Sequence, residues 1–143
     1  QKNSIQNDYI ITVIKAGVDL LALGCHRGGL DIFDTRAGKV RRHIPVRNPE
    51  DKEFELSVNT MFRDRSGNFW VGTWGGGIFL MDSLYHQVAV YRHTPAAANS
   101  INSDFIDCIM QDRAGNILIG TNDGLCVQDA TNKKTREQLP GFY

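Results

Sequence analysis

The sequence predicts an all-β fold built from three β-propeller blades, each a four-stranded antiparallel sheet of one partial propeller. Two observations lead to this fold class. A strand that ends in glycine recurs at Gly24, Gly72 and Gly120, a period of 48 residues because 72 − 24 and 120 − 72 are both 48. Each period also holds four strand-like segments, a combination typical of propellers. Helical periodicity is not sustained over a dozen residues, which disfavours helical repeats.

The period divides the chain into blades at approximately 1–48, 49–96 and 97–143, which we expect to form one domain. The second and third copies align without gaps from Leu56 to Gly77. The first copy is the most divergent, with Ala16 and Leu20 where the other copies have aspartate and asparagine. Terminal repeats often diverge in this way, so the first blade is expected to be the least regular.

The first two strands of each copy are expected to form a hairpin. In the second copy the strand Val58–Arg63 leads into a turn. There the Asp64 side chain can hydrogen-bond the backbone and Gly67 can adopt a positive φ. Asn68 can adopt a left-handed conformation or cap the turn locally. The third copy has the same residue types at the equivalent positions. We predict a structural role in these turns for the residues of both copies and for the glycines that end their second strands. The members of this turn set are Asp64, Gly67, Asn68, Gly72, Asp112, Gly115, Asn116 and Gly120.

A glycine-rich turn follows the second strand and leads into the third, Ile78–Met81 in the second copy. Fourth strands are expected at Lys39–Ile44, Gln87–Arg92 and Thr135–Leu139. A twisted sheet has two apolar faces, and each must be covered by a neighbouring blade. We therefore expect Trp70, and the matching Ala22 and Leu118, to lie between blades.

Composition narrows the possible partners. Lys plus Arg and Asp plus Glu both number 16, so the net charge is zero, and no long charged run suggests nucleic acid.

The apolar stretches are shorter than the roughly 20 residues of a membrane span, so no membrane contact is expected. The first residues lack the charged and apolar regions of a signal peptide, which is taken to be absent or removed. The three cysteines form no CxxC pair, so buried free thiols are expected instead of disulfides or zinc.

The residues that could bind a ligand lie in the loops between second and third strands, which differ from blade to blade. These candidates are His26, Arg27, Trp74, Asn122 and Asp123. An aromatic ring, a cation and hydrogen-bonding groups together suit a polar ligand such as a small glycan. The four histidines occupy unrelated repeat positions and are expected at the surface. No catalytic residue, metal site or cofactor is predicted.

The run from Asp112 to Leu125 resembles the two-component-regulator propeller repeat, whose usual form is D-x-x-G-N-[LI]-W-[IV]-G-T-x-x-G-[LI]. The preceding Asn99-Ser100-Ile101 matches the spacer of that repeat, whereas Leu118 replaces its usual tryptophan. The resemblance implies the periplasmic input region of a hybrid sensor histidine kinase of the Bacteroidetes type. In that family the propellers are implicated in sensing carbohydrate fragments, upstream of a membrane span and a kinase.

Two other functions stay open at this stage. A propeller lyase or hydrolase would gather histidines and carboxylates, often with a divalent metal, over the channel. A structural protein–protein platform would instead expose an apolar patch. Three blades cannot close a ring, since closed propellers typically have about four to eight. We therefore expect either further blades of a parent chain or self-association of two or more chains.

Overall fold

The computed structural model describes residues 4–5, 7–131 and 135–140, the last range by its backbone alone. Three four-stranded sheets form, each with its strands antiparallel and in sequence order, which confirms the predicted fold class. The described residues contain no helix, and so none that could cross a membrane. The strands are β1 Ile10–Gly17, β2 Leu20–Cys25, β3 Leu30–Asp34, β4 Lys39–Ile44, β5 Val58–Arg63, β6 Phe69–Thr73, β7 Ile78–Met81, β8 Gln87–Tyr91, β9 Ile106–Gln111, β10 Ile117–Thr121, β11 Gly124–Gln128 and β12 Thr135–Pro140.

An aspartate organises the turn between the first and second strands of blades 2 and 3. One carboxylate oxygen of Asp64 accepts hydrogen bonds from the backbone N–H groups of Ser66 and Asn68, at 2.9 and 3.0 Å. Gly67 has a φ of 86° and its equivalent Gly115 has 93°. Such values are unfavourable for side chains with a Cβ. Asp64 and Gly67 therefore have the geometry expected of the turn, whereas neither Asn68 nor Asn116 has a positive φ.

The divergent first blade forms the same kind of turn without the glycine. Asp19 lies 48 positions before Gly67 and has a φ of 58°. Aspartate tolerates this left-handed conformation better than most side chains because its short polar group can bond locally. The first blade thus keeps the hairpin despite the loss of the repeat aspartate at Ala16.

Two apolar clusters hold the blades together. The first joins blades 1 and 2 and includes Ala22, Leu30 and Phe79. The second joins blades 2 and 3 around Trp70, which is stacked on Tyr91 at 5.6 Å. Ala22 and Trp70 therefore lie between blades, as expected. Leu118 does not, because the corresponding face of blade 3 has no blade against it among the described residues, and it remains half-buried.

Close approach of the next blade explains the glycine at the end of the second strand in blades 1 and 2. A Cβ on Gly24 would lie 2.7 Å from Val58 Cγ1, and a Cβ on Gly72 would lie 2.7 Å from Ile106 Cγ2. Gly72 and Gly120 belong to the predicted turn set, but both lie inside strands, β6 and β10. Gly72 admits a side chain of the next blade, whereas a Cβ on Gly120 would meet only Cys108 of its own blade, and neither glycine has a positive φ.

The cysteine and histidine expectations hold only in part. Cys25 and Cys126 are buried thiols, but Cys108 is exposed, because it lies on the uncovered face of blade 3. His26, His86 and His93 are exposed, whereas His43 is only partly accessible, with its side chain 22% exposed. Contacts with Asp31 and Glu55 explain the burial of His43, whereas Cys108 is exposed because no blade covers it among the described residues.

Candidate functional site

The second-to-third strand loops and the segments that lead into the first strands form one surface, the loop face. Within each blade, the same backbone bond recurs at 48-residue spacing: His26 N–H to Tyr9 C=O at 2.9 Å, and Trp74 N–H to Ser57 C=O at 3.1 Å. Between blades, Gly29 N–H donates to Leu56 C=O at 3.3 Å. The loop of one blade is thereby fixed to the leading segment of the next.

A cleft of about 550 Å³ opens on the loop face between blades 1 and 2. His26 and Arg27 form one side and Trp74 the other, so the structure brings together three of the five predicted ligand residues. The connection between blades 1 and 2 lines the rest of the cleft, with Phe54, Glu55, Leu56 and Ser57. Ligand sites for small molecules typically measure about 300–1,000 Å³, so the cleft has the size of a site for a small ligand.

Arg27 is held in an unusual backbone conformation at the edge of the cleft. Its φ is 47°, a left-handed value that costs a non-glycine residue about 1–2 kcal/mol. The Arg27 N–H donates to Ser57 Oγ at 3.0 Å, and the same hydroxyl lies 3.2 Å from His26 Nδ1. The guanidinium has no hydrogen-bond partner among the described residues. Its position is thus fixed at the backbone while its cation stays available to a ligand.

Aromatic rings on the loop face are exposed. Phe54 is 66% exposed and Trp74 is 50% exposed, each counted over the whole residue. Trp74 meets the ring of Phe105 from blade 3 edge to face, with centroids 5.3 Å apart and planes at 82°. This contact orients the indole but leaves much of its surface open, an arrangement suited to stacking against an apolar face of a ligand.

Asn122 and Asp123 lie away from the cleft. The amide oxygen of Asn122 accepts a hydrogen bond from Ser103 Oγ at 2.6 Å, and Asp123 C=O accepts one from Asn102 Nδ2 at 3.1 Å. Asn122 lines a separate depression on blade 3, together with Cys108. These two predicted ligand residues therefore belong to a different part of the surface from His26, Arg27 and Trp74.

Behind the cleft lies an ionic cluster that the sequence did not reveal. His43 Nδ1 lies 2.7 Å from Asp31 Oδ1, and its Nε2 lies 2.9 Å from Glu55 Oε2. Glu55 also pairs with Arg47 at 3.1 Å and forms part of the cleft wall. The cluster therefore links strands β3 and β4 to the connection that bears Phe54.

The cluster shifts the ionisation of its members. Burial lowers the pKa of His43, but hydrogen bonds to Asp31 and Glu55 and their charges outweigh burial, so the pKa is raised overall. Nearby Cys25 has its pKa raised to about 11, first by burial and then by the charge of Asp31. Cys25 is thus a protonated, buried thiol and not a nucleophile.

Sequence reasoning missed the His43 cluster and Phe54, and of these the His43 cluster had a signal in the sequence. Asp31 occupies the repeat position that Phe79 holds in blade 2 and Cys126 holds in blade 3. The three residues pair with equivalent residues of the second strands, namely Leu23, Val71 and Ile119. A carboxylate at an otherwise apolar repeat position indicates a buried polar contact. Phe54 had no such signal, because it lies in a connection that differs between blades.

Within the described ranges no group of three or more His, Cys, Asp or Glu side chains could hold a metal ion.

A comparison with protein-family models matches two of the three repeats. The family model described as "Two component regulator propeller" matches residues 53–75 and 100–123. Both segments contain the aspartate turn and the glycine-ending strand of blades 2 and 3. No curated protein matches the chain.

Solved structures share the fold at low sequence identity. The extracellular domain of a protein described as the hybrid two-component system BT3049 from B. thetaiotaomicron superposes with a TM-score of 0.70 at 21% identity, covering 91% of this chain and 17% of that one. BT4673 from the same organism, described in the same way, gives 0.77 at 18%, covering 94% and 19%. PorZ, a surface component of the type-IX secretion system of Porphyromonas gingivalis, gives 0.63 at 18%, covering 87% and 18%. The chain therefore spans less than a fifth of each of these proteins.

Proposed function

Because the chain carries two-component regulator propeller repeats, we propose that it is a ligand-sensing segment of the extracellular or periplasmic part of a hybrid two-component system. The signal is a small carbohydrate-derived molecule that binds in the cleft between blades 1 and 2. The segment itself is not an enzyme, and binding is passed on by a conformational or oligomeric change.

The cleft is the observation on which this proposal depends. A sugar ring has apolar faces that stack on aromatic side chains and hydroxyl groups that need hydrogen-bond partners. Phe54 and Trp74 offer exposed rings, while Arg27 offers a guanidinium that none of the described residues binds. His26 and Ser57 add hydrogen-bonding groups between them. This combination suits an uncharged or weakly charged oligosaccharide.

A binding experiment tests the proposal. The wild-type chain is screened on an array of oligosaccharides, and the best-bound oligosaccharide is titrated by calorimetry. We expect Trp74→Ala and Arg27→Ala each to weaken its affinity about tenfold, the equivalent of about 1.4 kcal/mol. Leu84→Ala is the matched control, because Leu84 is an exposed apolar residue outside the cleft. Absence of binding to any oligosaccharide, or an unchanged affinity in Trp74→Ala, would count against the proposal.

The enzyme alternative predicts a different result. A metal-dependent lyase or hydrolase of this fold would lose thermal stability when a chelator removes its divalent ion. The proposed non-catalytic segment should unfold at the same temperature with and without EDTA. A lowered midpoint in EDTA that added Ca²⁺ or Mn²⁺ restores would favour the enzyme.

A further inference from the structure

We infer that His43 is a positioning residue of the cleft, and that its charged form holds the wall that carries Phe54 against the loop that bears Arg27. The link between the two is Glu55, which follows Phe54 in the connection between blades 1 and 2. This role rests on the ligand-binding function proposed for the cleft. It gives control of the cleft to a side chain that does not line it.

The carboxylate of Glu55 joins three parts of the structure. Its Oε2 lies 2.9 Å from His43 Nε2, and its Oε1 accepts a hydrogen bond from Arg47 Nη2 at 3.1 Å. The same carboxylate lies against the backbone of Gly29, where an added Cβ would be 2.6 Å from Oε2. Gly29 belongs to the loop that carries Arg27, so Glu55 fixes the spacing between that loop and its own connection.

The connection is closed at its base, directly after Glu55. The Leu56 N–H donates to Val46 C=O at 2.8 Å, and the Leu56 C=O accepts from Gly29 N–H at 3.3 Å. Phe54 lies only two residues before this closure. A shift of Glu55 that opens the base would therefore displace the Phe54 ring from the cleft.

The two ring nitrogens of His43 both face carboxylates. Nδ1 lies 2.7 Å from Asp31 Oδ1, and Nε2 lies 2.9 Å from Glu55 Oε2. An ionised carboxylate only accepts hydrogen bonds, and neutral imidazole has one N–H, so both contacts are hydrogen bonds only in the imidazolium. Asp31 is fully buried and the Glu55 side chain is 17% exposed, so a neutral ring should keep its N–H on Asp31, where losing the bond costs more. The Nε2 lone pair then faces Glu55 and the wall is released.

The groups around the ring favour its charged form. The titratable members of the cluster come from β2, β3 and the connection, and are Cys25, Asp31, Arg47 and Glu55. The neighbouring arginines of β4, Arg41 and Arg42, bond to partners away from the ring. Burial lowers the pKa of His43, but the hydrogen bonds and charges of the two carboxylates raise it overall. As pH rises through this raised pKa, the imidazolium is lost, and the hold on Glu55 is lost with it.

Blade 2 shows that the fold does not need this cluster. Asp31 and His43 pair across β3 and β4, and the equivalent pair in blade 2 is Phe79 and Val90. Both of those residues are apolar and pack in the first cluster. Replacing a buried ion pair by apolar residues is often neutral or stabilising. The polar pair of blade 1 therefore points to a role beyond packing.

The first measurement follows the wall in the ligand-free chain. Hydrogen exchange by NMR gives the protection factor of the Leu56 amide, which corrects for the intrinsic dependence of exchange on pH. We expect this factor to fall at least about tenfold between about pH 6 and about pH 9 in the wild type. His43→Gln should show no such fall, because its amide donates at every pH. His86→Gln replaces an exposed histidine of blade 2 and should behave as the wild type.

The second measurement follows the ligand. The best-bound oligosaccharide is titrated at the same two pH values, and wild-type affinity should be at least about fivefold weaker at the higher pH, because the released wall is no longer preorganised. His43→Gln should remove this difference. His26→Gln should keep it, although it removes the ionisable ring that lines the cleft. A residue that only stabilised the fold would leave the affinity of the folded chain unchanged.

The two measurements distinguish failure of this role from failure of the proposed function. If no oligosaccharide binds, but Leu56 protection falls with pH only where His43 is present, the proposed ligand is wrong and the positioning role stands. Leu56 protection that changes equally in wild type and His43→Gln, or a pH dependence of affinity that His26→Gln abolishes and His43→Gln keeps, would overturn it. Glu55→Gln is the second variant should His43→Gln not fold. Its amide offers Nε2 either an oxygen or an N–H, so the fall with pH should again be absent.

Discussion

Single side chains show how the repeat tolerates substitution. In blade 2 the second carboxylate oxygen of Asp64 accepts from the Trp70 indole at 2.9 Å. Blade 3 has Leu118 in place of the tryptophan, and there Asn116 Nδ2 donates to the second oxygen of Asp112 at 2.8 Å. This hydrogen bond is the main cause of the lowered pKa of Asp112. A nearby amide thus replaces the missing indole, which explains how the third turn keeps its form.

The His43 cluster predicts a dependence of stability on pH. Because the folded-state pKa of His43 is raised above its unfolded value of about 6.5, its stabilising contribution is complete below that value and is lost as pH rises through the folded pKa. The midpoint of urea unfolding should therefore fall as pH rises above about 6.5 in the wild type, and less so in His43→Gln. His86→Gln replaces an exposed histidine and serves as control. Equal slopes for all three proteins would contradict this assignment.

The strands of this propeller are specified by short-range patterns, but their contacts depend on close approach between sheets. The inner strands β1, β5 and β9 lie next to one another and form contacts between blades. Their β-branched residues reach the second strand of the preceding blade only because that strand has glycine at the crossing point. One residue type at one position thus sets the spacing between two elements.

Alanine at the two glycines should give unequal effects. Gly72→Ala would place a Cβ 2.6 Å from Thr60 Cγ2 and 2.7 Å from Ile106 Cγ2, inside a formed contact, and should destabilise the chain by about 1–3 kcal/mol. Gly120→Ala would meet only the Cys108 thiol, which can rotate away, so the loss should be smaller. Urea unfolding at a concentration where the chain is monomeric measures both. Equal losses would show that the glycine acts within its own strand.

At the scale of the whole chain, the three blades form an arc in which, among the described residues, only the middle blade is covered on both faces. Phe69, Phe79 and Val71 of blade 2 pack towards blade 1, while Trp70 and Ile78 pack towards blade 3. Each end blade has one covered face among the described residues. Local stability should follow this difference, because opening of the middle sheet disrupts both clusters.

Hydrogen exchange can test this difference in local stability between the middle blade and the end blades. Amides of β6 and β7 should exchange more slowly than those of β2 and β3 in blade 1 or β10 and β11 in blade 3. Mass spectrometry of quenched, digested samples gives the rates for each strand. Exchange that is uniform across the three blades would mean that the arc opens as one cooperative unit.

The sequence alone determined the repeat, the four-strand blades and the turns, because these depend on residues close together in the chain. Alternating apolar residues and turn residues such as Asp64 and Gly67 act locally. It also indicated that His26, Arg27 and Trp74 lie on variable loops. Their ligand-binding role stays a prediction, as does the placement of the blade boundaries.

Only the tertiary structure decided which of the predicted ligand residues lie close together. The cleft joins a loop of blade 1 to Trp74 of blade 2 and adds Phe54, a residue that no repeat pattern marks. The same assembly separates Asn122 from the cleft, encloses His43 between two carboxylates and leaves Cys108 exposed. These outcomes depend on sheet-to-sheet distance and on which faces are covered, neither of which is encoded in a local pattern.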